Sequence, residues 1–381
     1  MNMKRWQSRT GAIEIQFNWI FVLIIGALII TFFVMIAQKQ KQASDRSLAA
    51  DILSDMGLLF TGQGVSVGRE DVLEMPDIPI DVSCTDFSMM GIPKELGQTI
   101  LFAPSRIEAE ELIMWTLSWD VPFKVANFMY MTGKDDKYYV VGKDADCNPE
   151  PGDNSKWGPI IDSERNLQLG EILPKSMDVE CVPVGNLDAL EYEKNPYVKF
   201  VFLPSALPPG ASLPRIPDEF RAARVSILAI DGDISVAGWE NGGAMLHLST
   251  VREAGSTAYE MKPFPAFGTE AVLGAIFASD HETYTCMMER AISRMRNVAK
   301  VYKERTQRLI TYFDEAECTR YLPYTLLDRY LDFPEPGRGG SIGTGEAASI
   351  ARNIIDILRL GDAPLRQVVR QAQRASCPTM Y

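Results

Sequence analysis

The sequence predicts an α/β body, with a mixed, partly parallel sheet flanked by helices, preceded by one N-terminal transmembrane helix. Three observations carry this expectation. No charged residue occurs between Ile15 and Gln38, and at about 1.5 Å per residue that stretch crosses a hydrocarbon core of roughly 30 Å. Continuous apolar runs of strand length follow at Thr99 to Ala103, Tyr197 to Leu203, Val225 to Ile230 and Val272 to Ala278, as strands buried on both faces require. A long helix over 280–314 then carries Met288, Ala291, Met295, Val298, Tyr302, Leu309 and Tyr312 on one stripe, broken once at Arg305.

Taken in order, residues 1–16 are a short tail with Lys4, Arg5 and Arg9. The membrane span runs from Phe17 to Ala37 (17–37), with Trp19 at headgroup depth near one end and Lys39 and Lys41 closing the other. A cleaved signal peptide has an apolar core of about 7–15 residues followed by a small-x-small site. Here the run is longer and Gln38-Lys-Gln-Lys-Gln42 follows it, so the segment is expected to stay as an anchor. Flanking basic residues do not orient it, since Lys4, Arg5 and Arg9 balance Lys39, Lys41 and Arg46. The cysteines do. Cys84, Cys147, Cys181, Cys286, Cys318 and Cys377 all follow the span, with no C-x-x-C pair among them. Long-range disulfides in an oxidising space fit this pattern, as do six unpaired buried thiols, and the first is the expectation taken. The expected placement is a single pass through the cell membrane with the C-terminal body outside the cytoplasm.

Residues 38–69 read as a helical stalk and Gly-rich junction, with Leu48, Ile52, Met56 and Phe60 at four-residue spacing and Gly62, Gly64 and Gly68 ending the helix. The remainder, 70–381, is expected to be one extracytoplasmic α/β domain with C-terminal helices. After the strand at Thr99 to Ala103, Ser105-Arg-Ile-Glu108 spells a capping box opening a helix to about Trp119, and Pro122 marks the break before a strand from Phe123 to Met131. That order predicts a strand–helix–strand unit with parallel strands. A strand at Lys137 to Gly142, an exposed polar loop over 144–154, a proline-rich connector and a short helix around Glu219 follow. Alternation in Met245-Leu-His-Leu248 and Tyr259-Glu-Met261 predicts antiparallel strands within 234–262. Ser279-Asp-His-Glu282 is a second capping box, opening the long helix. The opposite face of that helix carries Arg290, Arg294, Arg296, Lys300, Lys303 and Arg308, leaving it suited to a protein partner or to self-association. Two amphipathic helices, about 345–359 and 363–376, close the chain.

Charge and composition exclude several functions. With 38 Lys plus Arg against 50 Asp plus Glu, a net charge of −12 argues against a nucleic-acid partner. His occurs only at 247 and 281, which excludes a site built from several imidazoles, and His247 reads as an ordinary strand residue. No cofactor is expected: the Gly337 to Gly345 segment lacks the Lys-Ser/Thr of a phosphate-binding P-loop. Gly64-Val-Ser-Val-Gly68 spells a nucleophile elbow but follows a helical stretch, where that motif needs a strand. Asp144, Asp146 and Asn148 alternate oxygen ligands as a casual calcium site would, while Pro149 and Ser155 rule out an EF-hand loop. In open α/β sheets ligands bind beyond the carboxyl ends of the strands. Those ends are expected to carry Ser105, Asp231, Asp233, Ser279, Asp280 and His281, with Asp231 or Asp233 orienting the His281 imidazole for acid–base chemistry. The same residues also suit a turn and a helix entrance.

The segment Arg9-Thr-Gly-Ala-Ile-Glu-Ile-Gln-Phe-Asn-Trp-Ile-Phe-Val-Leu-Ile-Ile-Gly-Ala27, with Asp51-Ile-Leu-Ser-Asp55, Phe60-Thr-Gly-Gln-Gly64, Ile100-Leu-Phe-Ala-Pro-Ser105, Trp119-Asp-Val-Pro-Phe123 and Gly274-Ala-Ile-Phe-Ala278, resembles a family of uncharacterised archaeal single-pass membrane proteins. The resemblance implies an N-terminal anchor and an extracellular body, and brings no activity. The anchor is also loosely similar to archaeal prepilins, although Glu14 falls three residues after Gly11, closer than the pilin spacing. The expected role is therefore recognition or assembly at the cell surface. The alternatives are a hydrolase using the Asp/His cluster and a pilin-like subunit of a surface filament.

Overall fold

A computed structural model of the chain describes residues 11–63, 68, 70–76, 78–120, 123–147, 173–203, 206, 216–231, 243–249, 261–312, 327–328, 367, 369–375 and 377. Of the expected C-terminal helices, 345–359 lies outside them, while 369–374, within the helix expected at 363–376, is helical.

Helix α1, Gly11–Gln63, is 53 residues without interruption. Its most apolar stretch has a mean hydropathy of 3.1 and is 0 % buried. It is long and apolar enough to cross a membrane. The last turns behave differently: Ala49, Leu53, Met56 and Phe60 are buried in the body. The expected stripe of strict four-residue steps is corrected here, because Leu48 is 46 % exposed. Four-residue steps drift around a 3.6-residue helix, whereas the observed four-three-four spacing stays on one face. That face meets the small sheet, with the Phe60 and Phe87 rings 4.9 Å apart.

The small sheet has the order β4-β3-β2-β6, from β2 (Ile80–Val82), β3 (Asp86–Met89), β4 (Ile92–Glu95) and β6 (Arg106–Ile107). A second sheet has the order β1-β7-β8-β5, from β1 (Glu70–Glu74), β5 (Ile100–Phe102), β7 (Glu111–Asp120) and β8 (Lys124–Gly133). Here the helix expected to run to Trp119 is replaced by β7, which pairs antiparallel with both β1 and β8. Leu112 to Thr116 are buried without a break, and neighbours on both sides satisfy the backbone of this β-branched and aromatic run. The capping-box residues are used elsewhere. Ser105 Oγ accepts from Arg224 Nη2 at 3.0 Å, and Glu108 accepts from Arg106 Nε at 2.5 Å.

The largest sheet has six strands in the order β10-β9-β11-β12-β13-β14: β9 (Lys137–Gly142), β10 (Asp178–Pro183), β11 (Tyr197–Phe202), β12 (Arg224–Asp231), β13 (Gly243–Ser249) and β14 (Met261–Phe267). Its first four strands are parallel and the last two antiparallel, so the sheet is mixed as expected. One turn of helix, α2 (Asp144–Cys147), leaves β9, where a loop was expected. Side chains alternate between two cores. Tyr139, Val198, Phe200 and Ile227 point to one side, against Leu187 and Phe220 of two 3-10 turns. Tyr138, Val201, Leu228 and Ile230 point to the other, where the main core lies.

That core is filled by α3 (Gly268–Phe277) and α4 (His281–Tyr312). The strand expected at Val272 to Ala278 is a helix. Ala271 to Phe277 are all buried, and an apolar run enclosed on every side has no periodicity by which to tell helix from strand. Gly268, at φ +79°, turns the chain from β14 directly into α3. Gly274 lets α3 approach the second sheet, because a Cβ there would stand 2.9 Å from the Phe102 ring. On α4, Tyr284, Met287, Met288, Ala291, Met295 and Ala299 are buried.

Candidate functional site

A group of deeply buried polar residues lies between β9, β11, β12 and the α3–α4 junction. The chain passes from β8 in one sheet to β9 in the next through Lys134–Asp136. Lys199 is the register partner of Tyr138 on one side and of Ser226 on the other. The three therefore form one row across the sheet, on the face toward α3 and α4. Lys199 is 0 % exposed and its Nζ donates to Ala278 O at 2.6 Å. Burial pushes this amine down to about 7, against the pull of the Asp280 charge. Tyr197 OH donates to Ser226 Oγ at 3.0 Å.

Asp136 stands beside this row, 1 % exposed. Its Oδ2 accepts from Gly133 N at 2.8 Å and from Thr132 Oγ1 at 2.9 Å, and Tyr138 OH lies 2.7 Å from Thr132 Oγ1. Its Oδ1 has no hydrogen-bond partner among the described residues. Burial pushes the carboxyl up to about 7, although both hydrogen bonds and Arg224 act the other way. Burial likewise raises the phenols of Tyr138 and Tyr197.

At the junction, Ser279 Oγ accepts from Ser105 N at 3.0 Å and donates to Asp280 Oδ2 at 2.7 Å. Asp280 Oδ1 accepts from Thr283 N at 2.8 Å, which makes Asp280 the N-cap of α4. The expected box, opened by Ser279, is displaced by one residue. None of Thr132, Asp136, Tyr138, Tyr197, Lys199, Ser226 and Ser279 has more than 1 % of its surface exposed. A nucleophile or general base must reach its substrate. This arrangement instead fastens the α3–α4 junction to the central strands.

The expected acid–base candidates are placed as follows. Asp231 is the last residue of β12 and pairs in register with Met245; its side chain, and Asp233 altogether, lie outside the described residues. His281 opens α4, partly buried, edge-on to Phe264 at 5.6 Å, with Nε2 3.4 Å from Thr285 Oγ1. Ser105 reaches Arg224, the first residue of β12. Asp231 lies seven residues further on, roughly 23 Å along a strand. Ser105, tied to the start of β12, and Asp231, at its end, are thus not brought together at one sheet edge. The physical reason is α3: as a helix it brings Ser279 and Asp280 to a helix entrance, where a strand would have brought them to a sheet edge. His247 pairs with Ala229 and Pro263 in β13.

Among the calcium candidates, Asp144 is exposed on α2, and the side chains of Asp146 and Asn148 lie outside the described residues. Gly68 N donates to Thr116 O at 2.8 Å; the rest of the Gly64–Gly68 motif and the Gly337–Gly345 segment lie outside them too. Cys84 and Cys286 form a disulfide with Cα atoms 6.0 Å apart, tying the β2–β3 turn to α4. Cys147 and Cys181 form another at 5.3 Å, tying α2 to β10. Cys377 is disulfide-bonded as well, and Cys318 lies outside the described residues. Sequence reasoning missed Asp136, Lys199 and Ser226. The available signal was a lysine inside Tyr197 to Leu203, an apolar run expected to be buried on both faces. No family model, curated protein or solved structure matches the chain.

Proposed function

We propose that the chain is a single-pass protein of the cell membrane whose α/β body stands outside the cytoplasm and serves recognition or assembly at the surface. The observation that carries this reading is the division of α1. Its apolar half is exposed, while Ala49, Leu53, Met56 and Phe60 of the same helix are part of the body's core. A helix of this kind holds a domain at a set distance from a bilayer, about 1.5 Å for each residue between them. Two disulfides within the described residues support an oxidising compartment for the body. The test is protease added to intact cells that express the chain. Cleavage of the body, leaving a small membrane-protected fragment, is expected; a body that resists until the cells are lysed would overturn the placement.

A second reading, a pilin-like filament subunit, is favoured by the same division, because subunits packed through the exposed halves of such helices would bury them without a bilayer. Mass spectrometry of the native N-terminus separates the two. Processing near Gly11 supports the filament, and an intact Met1 or Asn2 end excludes it.

A further inference from the structure

A cleft of about 530 Å³ opens where α1, the β4–β5 turn and α4 meet. Phe60, Leu96 and Met129 give its depth an apolar wall, each of them buried, beside the polar Thr116 and Asn127. Its rim is cationic. Lys94, on β4, and Arg294, on α4, both face it and are both exposed. Among the described residues, Glu95 is the only carboxylate in the lining. Two positive charges above a floor that carries a buried apolar wall contrast with a chain whose net charge is −12.

The backbone is arranged for this. Gly97, at φ +56°, permits the tight turn between β4 and β5, and Arg290 Nη1 donates to Gly97 O at 3.5 Å, holding that turn to α4. Gly57 lets the Lys94 side chain lie on α1: a Cβ at this position would stand 2.9 Å from Lys94 Cε. Glycine within a helix is unfavourable by about 1 kcal/mol relative to alanine, so its presence marks the close approach. Extending the lysine stem along α1 brings its ammonium to the mouth of the cleft.

We propose that this cleft binds an amphiphilic anion, with a single anionic head between Lys94 and Arg294 and an apolar tail against Phe60, Leu96 and Met129. Charge-assisted hydrogen bonds from the two cations fix the head, and the buried floor removes the tail from water. The inference goes beyond the proposed function and holds on whichever side of a membrane the body stands.

The probe is radiolabelled octanoate, dialysed to equilibrium against the full chain in phosphatidylcholine nanodiscs, with empty nanodiscs as the blank. Saturable binding at one site is expected. Lys94→Ala and Arg294→Ala should each weaken it about tenfold, Gly57→Ala should weaken it about threefold by displacing Lys94, and Lys300→Ala, on the exposed part of α4, should leave it unchanged. Gly57→Ala guards against a folding artefact, since alanine favours the helix while disturbing the site. Excess octanol or inorganic phosphate should compete poorly, each offering half of the ligand. Phosphatidic acid in the nanodisc lowers octanoate binding if the anion comes from the bilayer, and leaves it unchanged if the anion comes from solution; both results support the ligand class. Binding that does not saturate, that is equal in the Lys94 and Arg294 variants, or that phosphate alone displaces would overturn the proposal.

Discussion

Lys199 Nζ donates to the carbonyl oxygen of Ala278 at 2.6 Å from a position with no exposed surface. A lysine of the central strand thereby holds the link between two helices. Removing an ammonium from water is costly, and this one has a single hydrogen bond and the charge of Asp280 to offset the loss.

Lys199 therefore makes stability depend on pH. Its folded value of about 7 lies below the unfolded value of about 10.4. Between these the unfolded chain binds the additional proton, so stability rises with pH, by at most about 1.4 kcal/mol per unit. Below about pH 7 both states are protonated and this contribution is flat. Urea unfolding at a series of pH values should show the rise from 7 to 10 in the native chain and lose it in Lys199→Met.

Asp136 acts in the opposite sense. Its folded value of about 7 lies above the ordinary carboxyl value of 3.8. Between them the folded chain holds the proton, so stability falls as pH rises through that window and levels above 7. Asp136→Asn keeps an oxygen for the Gly133 and Thr132 donors and removes the titration. The variant should be less sensitive between pH 4 and 7; an unchanged slope there would falsify the assignment.

Gly274→Ala inserts a methyl 2.9 Å from the Phe102 ring. Helix propensity favours alanine by about 1 kcal/mol, but overpacking in a core between two sheets costs about 1–3 kcal/mol. A lowered thermal midpoint is expected by calorimetry, and a raised one would mean that α3 can shift away from Phe102.

The two disulfides whose halves both lie within the described residues differ in span, at 202 and 34 residues of separation. On the chain-entropy account, removing the first by Cys84→Ser with Cys286→Ser destabilises by about 5 kcal/mol, and removing Cys147–Cys181 by about 4 kcal/mol. Denaturant midpoints of the two double variants give the order, and a larger loss for the shorter loop would contradict it.

Legibility in the sequence followed burial. The long apolar helix α1, the strands at Ile100, Lys137, Tyr197 and Val225, and the long helix α4 are legible because their length or their pattern excludes alternatives. The helix expected from Ser105 to about Trp119 is instead strand at 111–120, and the strand expected at Val272 to Ala278 falls in the helix 268–277. Trp115 and Leu273 each sit in runs that are apolar on all sides, where length and neighbours decide the conformation and periodicity is silent. Ser105 and Ser279 both spell helix caps, yet the first joins the second through a hydrogen bond across 174 positions, a relation no local motif contains. The cleft at Lys94 was equally hidden, since it assembles from α1, β4, β8 and α4.

The unbroken course of α1 also fixes an angle. Successive residues of an α-helix are turned by about 100° and raised by about 1.5 Å. The residues between Ala37 and Ala49 thus set the azimuth of the body about the axis of the apolar half as well as its height. One residue inserted there would swing the cleft and the Cys84–Cys286 edge by more than a quarter turn, with every contact inside the body kept. The same rigidity makes the helix a shaft: a twist applied at its apolar end arrives at the small sheet undiminished by any joint.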